Sequence, residues 1–384
     1  MRIAIIQGAF LPVPPVRGGA VEKIWYRMGQ EFAAMGHEVV HISRSHADFP
    51  AKENVNGVSY VRIPGYETPS SLLKLKFLDL IYSIRAIKAL PEKVDIIVTN
   101  TFWSPFLLRG ERGKKVYVDV QRVPKGQMKF YRHVGVLRGC SPAICEAIIK
   151  EVAPEFHHLI SYVPNPVPFE IKTLPIRREK TLLFVGRLHP EKGVHVLLNA
   201  FRLLAKEQVS GWKLKIIGPS SFEEGGGGAA YYQELQQLST GMNVEWIGPV
   251  FNDEVLIKYY AEAGIFCYPA QDGSGDAAPV APREAMAYGA VPVVSGLGCF
   301  HDFIQNGKNG VYYDHTADDQ VGALAQALAA LMNDETRLKW LSKQAIKVNT
   351  EYAIPVIARR FIDDFRKIYP VSQNDKNPSA SVSV

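Results

Sequence analysis

The sequence predicts a two-lobed α/β protein, each lobe a parallel Rossmann-like sheet covered by helices. Three observations carry that prediction. Short apolar runs alternate with helical patterns, a proline-rich break at 164–175 divides the alternation into two series, and 384 residues exceed what one ordinary core organises. Apolar residues at 47% and charged residues at 21% are globular values, which sets aside a fibrous or largely disordered chain.

The first series opens with RIAIIQ, a buried strand. The loop GAFLPVPPVRGG then leads into a helix predicted from Ala20 to about Met35, stopped by Gly36. EVVHIS, VSYVRI, VDIIVTN, KVYVDV and LISYVPN follow as strands, with helices at 71–90 and 142–151. Proline fixes its own φ and drives the preceding residue toward extended backbone, so PNPVPFEIKTLP is an interdomain linker. Beyond it come the strands TLLFVG, KLKIIG, VEWIG, IFCYPA, VPVVS and GVYYD, with helices near 193–207, 229–239, 253–261 and from Arg283. The run EEGGGGAA at 223–230 carries the ordering cost of four glycines and is predicted to be a mobile loop. Helices at about 318–331, 334–348 and 353–369 precede a tail, 370–384, expected to be disordered. Ligands of such sheets lie at the carboxyl ends of the strands, here between the lobes.

Charge is uneven. Residues 1–170 hold 22 basic against 15 acidic side chains, and residues 171–384 hold 22 against 23. A basic first lobe suits an anionic acceptor or a phospholipid surface. Nucleic acid is set aside, because no recognition module accompanies the charge. The stretch SSLLKLKFLDLIYSIRAIKAL reads either as a helix packed on its own sheet, which is the expectation, or as a peripheral membrane contact. No apolar run reaches the roughly 18 residues of a membrane span and MRIAIIQG lacks signal-peptide features, so a cytoplasmic location is expected, at most peripheral to the membrane face. The four cysteines lack metal-ligand spacing and are expected as free thiols, and no metal site is expected.

Two constellations carry chemistry. TLLFVG runs through Gly186 into Arg187, with Lys192 just before a helix, which offers a diphosphate two cations and helix N-terminal amides. Downstream, Asp276 lies in a loop and Glu284 on the first turn of a helix that Pro282 helps to initiate; a carboxylate there accepts hydrogen bonds from vicinal hydroxyls.

The order GRLHPEKG, then Asp276 and Glu284 within DAAPVAPREAMAYGAVPVV, resembles the family 4 retaining glycosyltransferases of the GT-B fold, within the glycogen synthase-like glycosyl transferases group 1. The likeness extends to PPVRGGAVE (Pro14, Pro15, Arg17, Gly18, Gly19, Glu22), to VPNPV and to GLGCFHDFIQNGKNG. It implies two Rossmann-like domains: an acceptor lobe over 1–170, joined by the final helix at about 353–369, and a nucleotide-sugar lobe over 171–352. It also implies that Arg187 and Lys192 bind the donor diphosphate, Glu284 the ribose and Asp276 the donor sugar, while Gly18 and Gly19 let the first lobe approach closely. The implied substrate is a nucleoside diphosphate sugar (UDP-, GDP- or ADP-sugar) without a required cofactor, and the acceptor a carbohydrate, a lipid-linked or a small molecule, including anionic ones. A sugar-nucleotide hydrolase or phosphorylase, or a binding protein impaired in catalysis, are the alternatives.

Two departures from the family pattern matter. DAAP replaces the glycine-rich turn, leaving the amides of Ala277 and Ala278 as candidate donors to the sugar. No histidine follows KVYVDV, so Asp119 becomes the catalytic candidate on the acceptor side, with Gln121, Arg122 and Lys125 nearby.

Overall fold

The computed structural model describes residues 1–69, 71–169, 178–204, 211–271 and 276–369. The predicted tail, residues 170–175 of the predicted linker and the end of the helix predicted to 207 lie outside the described residues.

Two sheets organise the chain. The first comprises β1 (Arg2–Ile6), β2 (Glu38–Arg44), β3 (Lys52–Val55), β4 (Val58–Ile63), β5 (Ile96–Thr99), β6 (Val116–Val120), β7 (Val136–Gly139) and β8 (Ile160–Tyr162), in the order β3-β4-β2-β1-β5-β6-β7-β8. The second comprises β9 (Thr181–Val185), β10 (Lys213–Ile217), β11 (Val244–Gly248), β12 (Ile265–Tyr268), β13 (Val291–Ser295) and β14 (Val311–Tyr313), in the order β11-β10-β9-β12-β13-β14. Neighbouring strands run parallel except β3 against β4. Central strands such as β5 and β12 are buried along their whole length, the reason they read as continuous apolar runs.

Helices fill the faces. The Ala20–Ala34 helix lays Ile24, Trp25, Met28 and Phe32 on the first sheet, at the spacing of one helical face. The last helix, Ile354–Ile368, returns to this lobe: Phe361 lies 5.1 Å from Trp25 and Phe365 5.0 Å from Tyr117.

Two strands escaped the sequence reading. β3 is the polar KENV, joined to β4 by Asn56–Gly57, both at positive φ (52° and 78°), the backbone an Asn-Gly hairpin turn requires. β7 is VLRG, whose Arg138 is fully buried; a charge in mid-strand hides the apolar signature. A third difference concerns 223–230, predicted to be mobile. The segment is folded on itself, with Gly226 N donating to Ser221 O (2.7 Å), Gly227 N to Leu188 O (2.8 Å) and Gly228 N to Ser220 O (2.8 Å), before the Gly228–Leu238 helix begins. Backbone hydrogen bonds within and beside the loop offset the entropy that the glycine count suggested.

Candidate functional site

The carboxyl ends of both sheets meet at one cleft. At the end of β9 the chain passes Gly186 and presents Arg187, half-exposed, whose guanidinium donates to Glu191 Oε1 (2.6 Å) and to Gly225 O (2.5 Å). A short turn, Pro190–Lys192, then buries Lys192, whose ammonium donates to Asp276 Oδ1 at 2.6 Å. Gly193 reverses the chain at φ 69°, and any Cβ there would run into the Pro269 carbonyl, so only glycine permits the Val194–Leu203 helix to start where it does. Lys192 Nζ also lies 3.4 Å from Glu191 Oε1. One carboxylate oxygen thus touches both cations. Burial works to raise the Glu191 carboxyl, but the charges of Lys192 and Arg187 outweigh it and hold Glu191 below its ordinary value.

Glu284 is buried on the helix Val280–Ala287. That helix begins at Val280, not near Arg283, so Glu284 sits in its second turn rather than its first. Pro282 is tolerated three residues in because the N–H groups of a first turn have no partner within the helix. Both carboxylate oxygens are engaged: Tyr260 Oη donates at 2.7 Å and Lys23 Nζ at 3.0 Å. Lys23 belongs to the first lobe. It also pairs with Asp253 at 2.8 Å and stands 3.7 Å over the Phe169 ring. The sequence reading missed it, although its position beside Glu22, one turn from the glycine pair, put it at the cleft end of the first helix.

Gly18 and Gly19, at φ 76° and 98°, bring this loop against the second lobe, where a Cβ on Gly18 would stand 3.1 Å from the Phe251 ring. Glu22 folds back against Gly19, and burial pushes its carboxyl up to about 7. A cavity of about 280 Å³ opens between Pro14, Pro15, Val16, Lys23, Tyr26 and Arg27 on one side and Phe251–Glu254 on the other. Ala277 and Ala278, 5% and 8% exposed, join the apolar cluster of the first lobe, so the DAAP turn is itself a contact between lobes.

Asp119 requires correction. Its carboxylate is fully buried, paired with Arg138, and accepts from Trp25 Nε1 (2.6 Å) and Gln121 Nε2 (3.0 Å). Arg138 in turn donates to Val163 O (2.7 Å) and Asn165 Oδ1 (2.8 Å). A carboxylate with these partners, one residue from the carboxyl end of β6, joins β6 to β7 and to the 163–165 segment, and its side chain has no exposed surface. Asp302, downstream, is likewise held by Arg283 (2.7 Å) and Tyr162 Oη (3.1 Å). Of the residues singled out in the sequence, the fold therefore gathers Gly186, Arg187, Lys192 and Asp276 into one cluster. It places Glu284 beside Lys23 at the lobe boundary, with Gly18, Gly19, Ala277 and Ala278 at that same boundary, and it withdraws Asp119 into the first lobe.

Residues 168–348 match the family model described as Glycosyl transferases group 1. Over 378 residues the chain is 23% identical to spore coat protein SA of Bacillus subtilis, covering 91% of this chain and 95% of that one. Over 220 residues it is 27% identical to an exopolysaccharide phosphotransferase of Streptomyces coelicolor, covering 56% of this chain and 21% of that protein. The chain thus spans about a fifth of one curated relative and nearly all of the other. Among solved structures it is similar to sucrose-phosphate synthase from Thermosynechococcus elongatus (TM-score 0.77, 19% identity, 96% of this chain and 99% of that one). It is also similar to Anabaena HepE in complex with UDP-glucose (TM-score 0.69, 15% identity, 94% and 98%). These likenesses establish the two-sheet arrangement as the GT-B fold.

Proposed function

We propose, from the match of residues 168–348 to the Glycosyl transferases group 1 model, that the chain is a glycosyltransferase that transfers a sugar from a nucleoside diphosphate sugar to an acceptor hydroxyl, with retention at the anomeric carbon. The observation that carries this reading is the single Glu191 oxygen within reach of both Arg187 and Lys192. An oxygen of a diphosphate is an acceptor of the same kind with more charge, and it would replace that carboxylate between the two cations.

As the bond from the anomeric carbon to the phosphate oxygen breaks, negative charge accumulates on the leaving diphosphate, where the buried Lys192 and the Arg187 fork stabilise it. The acceptor oxygen forms the new bond on the same face, and its proton passes to the departing phosphate. Glu284 would take the ribose hydroxyls in place of the Lys23 ammonium, and Asp276, beside Lys192, the donor sugar. Closure between lobes excludes water and orients the partners. The family resemblance supports retention. UDP-glucose bound to the HepE structure supports a nucleotide-sugar donor, of uridine, guanosine or adenosine type. The basic first lobe supports an anionic or lipid-linked acceptor, handled on the cytoplasmic side.

The test is to incubate the full chain with UDP-, GDP- and ADP-sugars and a panel of hydroxyl acceptors. Nucleoside diphosphate release that depends on acceptor, with an α-linked donor giving an α-linked product by NMR, is the expected result. Release to water or phosphate alone assigns a hydrolase or phosphorylase instead.

A further inference from the structure

The Leu72–Lys88 helix packs Tyr82 and Ala86 into the apolar cluster of the first lobe but carries a second apolar face outward. It turns Asp79, Tyr82, Ser83 and Ala86 inward, and leaves Leu72, Leu73, Phe77 and Ile84 exposed at 75%, 82%, 61% and 41%. Leu73, Phe77 and Ile84 follow one another at four- and seven-residue spacing, so they form a stripe along the outer face. The exposed charges of this helix, Lys74, Lys76, Arg85 and Lys88, are all basic.

Half-buried aromatic residues lie beside the helix. Trp103 Nε1 donates to Lys76 O (2.8 Å), Phe102 N to Asp79 Oδ2 (3.2 Å), and the Lys76 ammonium stands 4.7 Å over the Phe102 ring. Phe106 then lies 5.5 Å from Trp103 and 5.8 Å from Phe130, which is 49% exposed with Lys129 beside it. These segments leave the carboxyl ends of β5 and β6, the end of the first sheet that forms the cleft.

We propose that this face, from Leu72 through Phe77 to Phe130 with its lysines, docks the protein on an anionic lipid bilayer and so holds the cleft at the membrane surface. Apolar and aromatic side chains enter the interface while the ammonium groups meet anionic headgroups, the division of labour of an interfacial helix. Uniform positive charge argues against a second copy of this chain as the occupant, because two such faces repel. The inference stands apart from the donor site and holds whatever sugar is transferred.

The experiment is co-sedimentation of the full chain with vesicles of phosphatidylglycerol and, separately, of phosphatidylcholine. Binding to the anionic vesicles alone, weakened by salt, is expected. L73E/F77E should reduce it by about tenfold or more, and K74E/K76E should weaken it while preserving the folded circular dichroism spectrum. Absence of binding by the wild-type chain, equal binding to both vesicle types, or binding unchanged in L73E/F77E overturns the proposal. A dimer in analytical ultracentrifugation that L73E/F77E dissolves would give the face to a second copy instead, and would also overturn it.

Discussion

Replacing Lys192 with glutamine is expected to lower kcat/KM for the donor by about 100- to 1000-fold, the cost of removing one preorganised partner of developing charge. Lys192 is 4% exposed, so its charge acts in a poorly screened setting, and the leaving diphosphate would meet it without solvent reorganisation. Glutamine is chosen over alanine for a physical reason. The ammonium is bonded to Asp276 at 2.6 Å, and truncation would remove that partner from a half-buried carboxylate. A carboxamide still donates a hydrogen bond to Asp276 while carrying no charge. Turnover should therefore collapse while the melting temperature moves by only a few degrees, and a K192Q enzyme with wild-type kcat/KM would remove Lys192 from the chemistry.

Arg138→Leu is expected to destabilise the first lobe by about 3 to 5 kcal/mol, read as a fall in melting temperature of roughly 10 °C. The guanidinium is fully buried and holds Asp119, Val163 O and Asn165 Oδ1, with its plane 5.0 Å from the Phe361 ring. Leucine leaves the Asp119 carboxylate in the sheet without its counter-charge. Removing the second charge as well, in R138L/D119N, should recover a large part of the loss, because the penalty lies in the unpaired ion more than in the missing pair. A melting temperature that stays near wild type in R138L would contradict the structural role given to Asp119 and reopen its place in catalysis.

Much of this architecture is legible in the sequence because parallel strands buried on both faces leave unmistakable apolar runs. TLLFVG, IFCYPA and VPVVS each lie where their runs placed them, and the ends of those strands located Arg187 and Lys192. Legibility fails where a residue's partner lies far away in the chain. Lys23 and Glu284 are 261 positions apart, and neither sequence context announces the other. Asp119 shows the same limit from the opposite side: a carboxylate at a strand end looks available until Arg138, from the neighbouring strand, neutralises it. The glycine run at 225–228 is misread from composition, which measures the cost of ordering a segment but not the hydrogen bonds and the Arg187 contact that offset it. The Leu72–Lys88 helix is half legible. Its apolar and basic residues were evident, but only the fold reveals which of them face outward.

The central claim is that Arg187, Lys192 and Glu284 together grip a nucleoside diphosphate, and calorimetric titration of UDP, GDP and ADP into the wild-type chain and into E284A tests it most directly. One of the three nucleotides should bind the wild type, more tightly than the corresponding monophosphate, and E284A should weaken it by about tenfold or more as the ribose loses its charged acceptor. Equal affinity in wild type and E284A, or no binding of any nucleotide by the wild-type chain, would contradict the account.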